Sequence, residues 1–336
     1  MNLQKSFFER IRQKHQSEDE NLARELTKLL NLSEASAYRR INGQTPLTFD
    51  ELQQLTNYYR ISIDEFFAFA ELEGKPHLAF SWQSGFDQEH AYRGFLTWLL
   101  NDLEQTHDQK TRIIFHAKDF PVFFNFVFPE IGEFKSFFWQ KTLMRVEGFK
   151  YKKYACEHLP SDNLDLGQRI FRRYSELDSM ELWNDEVLTS ILKQISYCHE
   201  VGYMSTKQDT IILLQKLKEL VCLWRDMAEE GKKHVPARPG EGGGKFELYQ
   251  NEIILGDNSI LLEQGHDRRI YLSQNIIQGL ITTDRQFVEN SWQMKTNLFK
   301  NSMLLSNSAE RERMKYFSGL ISRIESVGNA LHLKVD

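Results

Sequence analysis

Apolar residues in the first seventy positions recur at helical spacing. Leu3, Phe7, Phe8 and Ile11 share one face, and Leu22, Leu26, Leu29 and Leu30 share the next. Ala37 and Ile41 anchor a third face, Leu52 and Leu55 a fourth, and Ile63, Phe66 and Phe67 mark a short fifth. Every spacing is of the i, i+3, i+4 kind and nothing alternates with period two. The pattern predicts a five-helix domain over residues 1–72. The break Glu73-Gly74-Lys75-Pro76 then reads as a linker.

Beyond the break the texture changes twice. Phe86 to His107 reads as one helix, with Tyr92, Phe95, Leu96, Leu99 and Leu103 on its apolar side. Ile113 to Phe115 fits a short strand. Phe120, Phe123, Phe124, Val127, Ile131, Phe134 and Phe138 continue near helical spacing, with Pro129 expected to kink or split that element. Further helices are expected near 164–177, 184–199 and 206–230. Gly231 to Lys245 reads as a flexible loop.

After that loop, Phe246–Tyr249, Glu252–Leu255, Ser259–Glu263 and Arg269–Ser273 are short β-like runs. Gly256-Asp257-Asn258 and Gly265-His266-Asp267 are the turn signals between them. Two helices, near 284–300 and 309–331, close the chain. The fold expected is mainly α with a smaller α+β part. It comprises a helical head (1–72), an aromatic-rich helical region (80–230), and a C-terminal region (246–336) with a small antiparallel sheet and two helices.

The segment with functional content is Asn21 to Phe67. Leu22 to Leu30 forms a scaffold helix. Asn31 sits at a sharp turn, and Asn is one of the few residues besides Gly that tolerates the left-handed conformation. Leu32 is expected to plug the turn into the core, and Ser33 offers a hydroxyl N-cap to the next helix. That helix needs only Ala37 and Ile41 for its buried stripe. Glu34, Ala35, Ser36, Tyr38, Arg39 and Arg40 then lie on its sides and outer face. A helix that reads DNA requires such a face, with short polar residues for close approach and Arg for guanine or phosphate. Asn42-Gly43 ends the helix, and Leu47, Phe49 and Leu52 are expected to return the chain to the core.

This order of elements resembles the lambda-repressor-like (xenobiotic-response-element type) helix-turn-helix family of bacterial regulators. The resemblance covers about fifty residues and does not extend beyond residue 80. It implies double-stranded DNA as partner and α-helical readout. Glu34, Ala35, Ser36, Tyr38 and Arg39 face the bases in this reading. Ser33, Arg40, Gln44 and Thr45 take the phosphates, the last two from the loop after the recognition helix. The sequence departs from the family pattern at Asn31, where Gly is common, at Thr27, where a small residue is usual, and at Arg40, a position often apolar.

Charge sharpens this picture. The 336 residues carry a formal net charge of −5. Residues 1–70 hold nine Lys and Arg against ten Asp and Glu, a balance of −1. Bulk attraction will not supply DNA affinity, so the surface must be positioned and present in two copies. A homodimer is expected, held by residues outside 1–70. Residues 80–154 carry 19 of the 42 aromatic residues. They are read as core and dimer interface, with a pocket for an apolar small-molecule effector as the sharper alternative.

Other chemistries find little support. Gly240 to Lys245 invites a phosphate-loop reading, but Phe246 stands where the motif needs Ser or Thr. Cys156 with His158, and Cys198 with His199, lack metal-ligand spacing. No G-x-S-x-G or H-E-x-x-H occurs. No catalytic residue, metal or cofactor is expected, and the protein is not expected to be an enzyme. The stretch Phe120 to Trp139 is broken by Asn125, Pro129, Glu130, Glu133 and Lys135, so no membrane span is read. Three cysteines without a pairing framework suggest a reducing, cytoplasmic setting. The reading is a sequence-specific DNA-binding transcription regulator. The alternatives are an antitoxin-like or adaptor protein using the same head for protein contacts, and an enzyme domain fused to a regulatory head.

Overall fold

The structure is a computed structural model. It describes residues 3–15, 19–59, 61, 80–82, 91–104, 111–157, 162–236, 238, 240–252, 258–265, 267–275 and 278–335. The chain divides into two compact units, 1–79 and 80–336.

Four helices of the first unit are described: α1 (Leu3–His15), α2 (Asp19–Leu29), α3 (Glu34–Ile41) and α4 (Phe49–Tyr59). The fifth helix expected at Ile63, Phe66 and Phe67, and the expected linker, lie outside the described residues. Phe7, Phe8 and Ile11 of α1 meet Leu22, Ala23 and Leu26 of α2 in a core that also holds Ala37, Ile41, Leu55, Tyr59 and Ile61. Two side chains depart from the expected stripes. Leu3 is exposed because α1 begins there, a turn before its first core contact at Phe7, and Phe49, the first residue of α4, is 90% exposed. The return to the core is carried by Leu47 and Leu52 instead.

The second unit is built on a nine-stranded sheet. Its strands are β1 (Ser81–Trp82), β2 (Thr111–Ala117), β3 (Asp178–Trp183), β4 (Lys232–His234), β5 (Gly242–Gln250), β6 (Ser259–Gln264), β7 (Asp267–Asn275), β8 (Gln278–Thr282) and β9 (Met303–Leu304). The order is β1-β8-β7-β6-β2-β3-β5-β4, with β9 paired to β5. Strands β6 and β7 form the antiparallel pair expected on either side of Gly265-His266-Asp267. Strand β8 adds an antiparallel strand that the sequence reading lacked, and the run expected at Glu252–Leu255 lies almost wholly outside the described residues. The sheet extends further, because β2–β3 and β3–β5 pair in parallel. The described α-helices of the unit are α5 (Ala91–Glu104), α6 (Pro129–Phe138), α7 (Asp162–Glu176), α8 (Thr189–Glu200), α9 (Lys207–Glu230), α10 (Arg285–Lys300) and α11 (Glu310–Ala330).

Both faces of the central strands are covered. Ile113 and Phe115 of β2, Trp183 of β3 and Leu262 of β6 enter the large core beneath α5 to α9 and α11. Ile114, Leu182, Leu261 and Ile270 face a smaller core capped by Val288 and Phe299 of α10. Burial on both faces explains why Ile113-Ile114-Phe115 is a continuous apolar run with no polar alternation. Helix α6 starts with Pro129 at its first turn, where a missing N–H costs nothing. Helix α9 carries a capping box between Thr206 and Asp209 and ends at Gly231, whose φ of +66° is left-handed.

Most of the described aromatic residues of 80–154 belong to the large core or pack against it. Phe124 meets Tyr174, Trp183 and Trp224 edge-on, and Phe123 stacks on Tyr174 at 4.4 Å. One carboxylate is buried among these rings. Glu181 accepts from the Tyr174 hydroxyl, from Ser179 Oγ at 2.9 Å and from Trp183 Nε1 at 3.0 Å. Nearby, the buried Lys233 ammonium donates to the carbonyls of Tyr174 (3.1 Å) and Leu177 (2.6 Å) and lies 3.8 Å from the Tyr174 ring centroid. Burial raises the Glu181 pKa and lowers that of Lys233, and each charge opposes the shift of the other.

Candidate nucleic-acid interface

The turn between α2 and α3 is built as its residue types dictate. Asn31 takes a φ of +52°. The Leu32 N–H then reaches the Thr27 carbonyl at 3.1 Å, although the Leu32 side chain is only half-buried. Thr27 Oγ1 donates to the Ala23 carbonyl at 2.8 Å, which satisfies that hydroxyl within α2. Ser33 is the N-cap of α3, its hydroxyl oxygen accepting from the Ser36 N–H at 3.3 Å.

Helix α3 buries Ala37 and Ile41. Tyr38 is half-buried against the same core. Ser33, Glu34, Ala35 and Arg39 are exposed, with Ser36 partly so. This is a short helix with small residues at its N-terminal end and one exposed guanidinium. Arg39 Nη2 lies 3.4 Å from Ser36 Oγ, a weak contact that leaves most of its donors for a ligand.

The end of α3 is held tightly. Asn42 N–H donates to the Tyr38 carbonyl, and the Arg39 carbonyl accepts from the N–H groups of Gln44 (2.8 Å) and Thr45 (3.2 Å). Gly43 adopts a φ of +68° to make that turn. The backbone donors of Gln44 and Thr45 are therefore engaged, and only their side chains can serve a phosphate. The Gln44 side chain is exposed and that of Thr45 partly exposed.

Two residues from outside α3 brace it. Gln4 of α1 donates through Nε2 to the carbonyls of Arg40 (2.6 Å) and Thr45 (2.7 Å), and its Oε1 accepts from the Leu47 N–H at 3.0 Å. No local motif announces a contact across forty residues. Glu51 of α4 forms a capping box with Thr48 and pairs with Arg40 Nη2 at 2.7 Å. The Thr48-x-x-Glu51 spacing could have flagged the cap, though not the Arg40 partner. The Arg40 and Glu51 side chains are each about 14% exposed, so Arg40 ties α3 to α4 rather than projecting as a free phosphate ligand.

Burial would raise the Glu51 pKa, but Arg40 and the Thr48 donors outweigh it and hold the carboxyl below its ordinary value. A depressed folded pKa contributes stability above the unfolded value of about 4.3 that is lost as pH falls through the folded value. Glu51→Gln is accordingly expected to flatten the head's loss of stability below about pH 4.3. Denaturant melts of wild type and variant at successive acid pH values check this.

Residues 3–92 match the BetR domain family model. The matched segment is a helix-turn-helix type of regulator domain. The BetR match spans α1 to α4 and ends at Tyr92, within α5. No curated protein and no solved structure matches the chain.

Elsewhere, no described helix is long and apolar enough to cross a membrane. No three described His, Cys, Asp or Glu side chains group as a metal site requires. Cys198 is buried, while His199 Nδ1 lies 2.9 Å from Thr210 Oγ1. His158 lies outside the described residues. A shallow cavity of about 480 Å³ lies between α8 and α11, lined by Leu192, Lys193, Tyr197, Arg323 and Val327 among others. It is not formed by the aromatic residues of 80–154.

Proposed function

We propose that this chain is a sequence-specific DNA-binding transcription regulator that acts in the cytoplasm as a homodimer. The observation that carries the reading is the outer face of α3. Glu34, Ala35, Ser36 and Arg39 stand clear of the core on a helix whose start and end are both fixed by hydrogen bonds. Side chains of that length let a helix approach base edges in a major groove, and Arg supplies a bidentate donor for guanine. Tyr38 flanks this face. Ser33, Gln44 and Thr45 serve the phosphates. Arg40 orients α3 through Glu51 instead of serving a phosphate.

The docking follows the lambda-repressor-like mode, with α3 in the major groove and α2 crossing the backbone. The near-neutral charge of the head supports a dimer, because one copy makes too few phosphate contacts to bind well at physiological salt. The dimer seam belongs to residues 80–336. Most of the described rings of 80–154 pack as core, which argues against an effector pocket among them.

Sequencing genomic DNA recovered with the purified protein tests the function directly. A single enriched motif with half-sites about 10 base pairs apart, or a multiple of that, is the expected result. Recovery of no enriched sequence would defeat the reading. Ultracentrifugation should show a dimer at micromolar concentration. A monomer with undiminished affinity for the enriched duplex would remove the dimer from the proposal.

A further inference from the structure

The loop that follows α6 concentrates positive charge in an otherwise acidic chain. Between residues 140 and 153 stand Lys141, Arg145, Lys150, Lys152 and Lys153, against Glu147 alone. Lys141 turns inward. Its ammonium donates to the carbonyls of Phe149 (2.8 Å), Lys150 (2.8 Å) and Lys152 (3.0 Å) and lies 4.4 Å from the Tyr203 ring centroid. Tyr154 anchors the end of the loop. Its N–H donates to the Tyr203 carbonyl, its carbonyl accepts from the Ser205 N–H, and its hydroxyl donates to the Glu130 carbonyl, each at 2.8 Å.

The opposite side of this braced loop is open. Arg145, Lys150, Lys152 and Lys153 are exposed, and Tyr151 is 86% exposed. Lys150 Nζ lies 5.4 Å from the Tyr151 ring centroid and 3.6 Å from Glu147, while Lys152 Nζ lies 4.6 Å from the Phe149 ring. Arg145 holds a φ of +51°, an unfavourable conformation for a residue with a long side chain. A loop ordered by internal bonds has already met the entropy cost that a mobile loop would meet on binding.

We propose that Arg145, Lys150, Tyr151, Lys152 and Lys153 form a second, sequence-independent contact to the phosphate backbone of duplex DNA. The inference rests on the DNA-binding reading above and locates charge that the head lacks. The head carries a balance of −1, so phosphate neutralisation must be supplied from elsewhere in the chain. Lysine ammonium groups are point charges that suit phosphates without fixed geometry, and a tyrosine hydroxyl is a common phosphate donor. At physiological salt the Debye length is about 8 Å, so charges on distant parts of the chain are largely screened from the loop.

The test compares the full-length wild type with Lys150→Gln/Lys152→Gln/Lys153→Gln on two probes. One is a random-sequence duplex pool, and the other is the duplex that the wild type enriches from that pool. Loss of three phosphate contacts should reduce the slope of log affinity against log salt by about 2 to 3. Both probes should lose affinity by a similar factor, with the selected sequence unchanged and the thermal midpoint preserved. Lys→Arg at the same three positions should restore the slope. An unchanged slope while the wild type still binds, with Arg39→Ala still relaxing base preference, would overturn the loop contact and leave the regulator reading intact. A wild type that binds neither probe would overturn both. Capture by anionic vesicles, or by an acidic protein, together with an unchanged DNA slope would assign the loop to another partner and also overturn the proposal.

Discussion

Arg39→Ala is expected to weaken binding to the preferred duplex by about 1–3 kcal/mol and to relax preference at one base position. Arg39 is the exposed guanidinium on α3, and its side chain makes a weak 3.4 Å contact to Ser36 Oγ. Its carbonyl, by contrast, is fixed by Gln44 and Thr45, so the backbone that presents the side chain does not depend on it. Truncation therefore removes the guanidinium donors without loosening the helix. Gln44→Ala provides the contrast. It should weaken all sequences by a smaller and similar factor, as a phosphate contact does. Binding-site selection with each variant separates the two outcomes. An unchanged site profile for Arg39→Ala would show that α3 does not read bases through this residue.

A larger effect on stability is expected in the second unit. Glu181→Leu should cost about 3–5 kcal/mol, the range for removing one partner from a buried charged pair. The substitution strips the acceptor from Tyr174, Ser179 and Trp183 at once and leaves the buried Lys233 ammonium with only the weaker support of Asp178. The double variant Glu181→Leu/Lys233→Met should recover part of the loss, because an apolar replacement of both charges removes the desolvation penalty. Equilibrium unfolding of the four proteins in the cycle measures the coupling. A single variant as stable as wild type would mean that the carboxylate is neutral and weakly held. The network matters for architecture as well, since it joins α7, β3 and β4 through residues separated by about sixty positions in sequence.

Local signals made much of the head legible. Asn31 announced a left-handed turn, Ser33 a cap, and Ala37 with Ile41 a minimal buried stripe. Each is a property of a residue and its near neighbours, and each appears where the sequence places it. Such features follow from backbone sterics and from hydrogen bonds spanning only a few residues, which is why a reader of the sequence can reach them. The roles of Arg40 and Phe49 were less accessible. Both look functional or core-forming in isolation, and what they do depends on the partner that tertiary packing brings near.

In the second unit, periodicity marked the helices, and the turn signal marked the antiparallel pair of β6 and β7, because turns and alternation are local. It did not show that Ile113 to Phe115 and Asp178 to Trp183 would join the same sheet through parallel pairs. Parallel pairing requires a crossover of many residues, and no short-range pattern specifies which strand lies next to which. Strands covered on both faces also lose the alternation that would identify them. The sequence by itself therefore determined the helical head, its turn and cap, and the apolar content of the core. Only the tertiary structure decided that Gln4 and Glu51 brace α3, that most of the described aromatic residues of 80–154 pack in the large core, and that Lys141 and Tyr154 tie a basic loop to Tyr203. Those three outcomes depend on contacts between residues far apart in the chain or on the burial of a whole face, quantities that arise only when the elements pack.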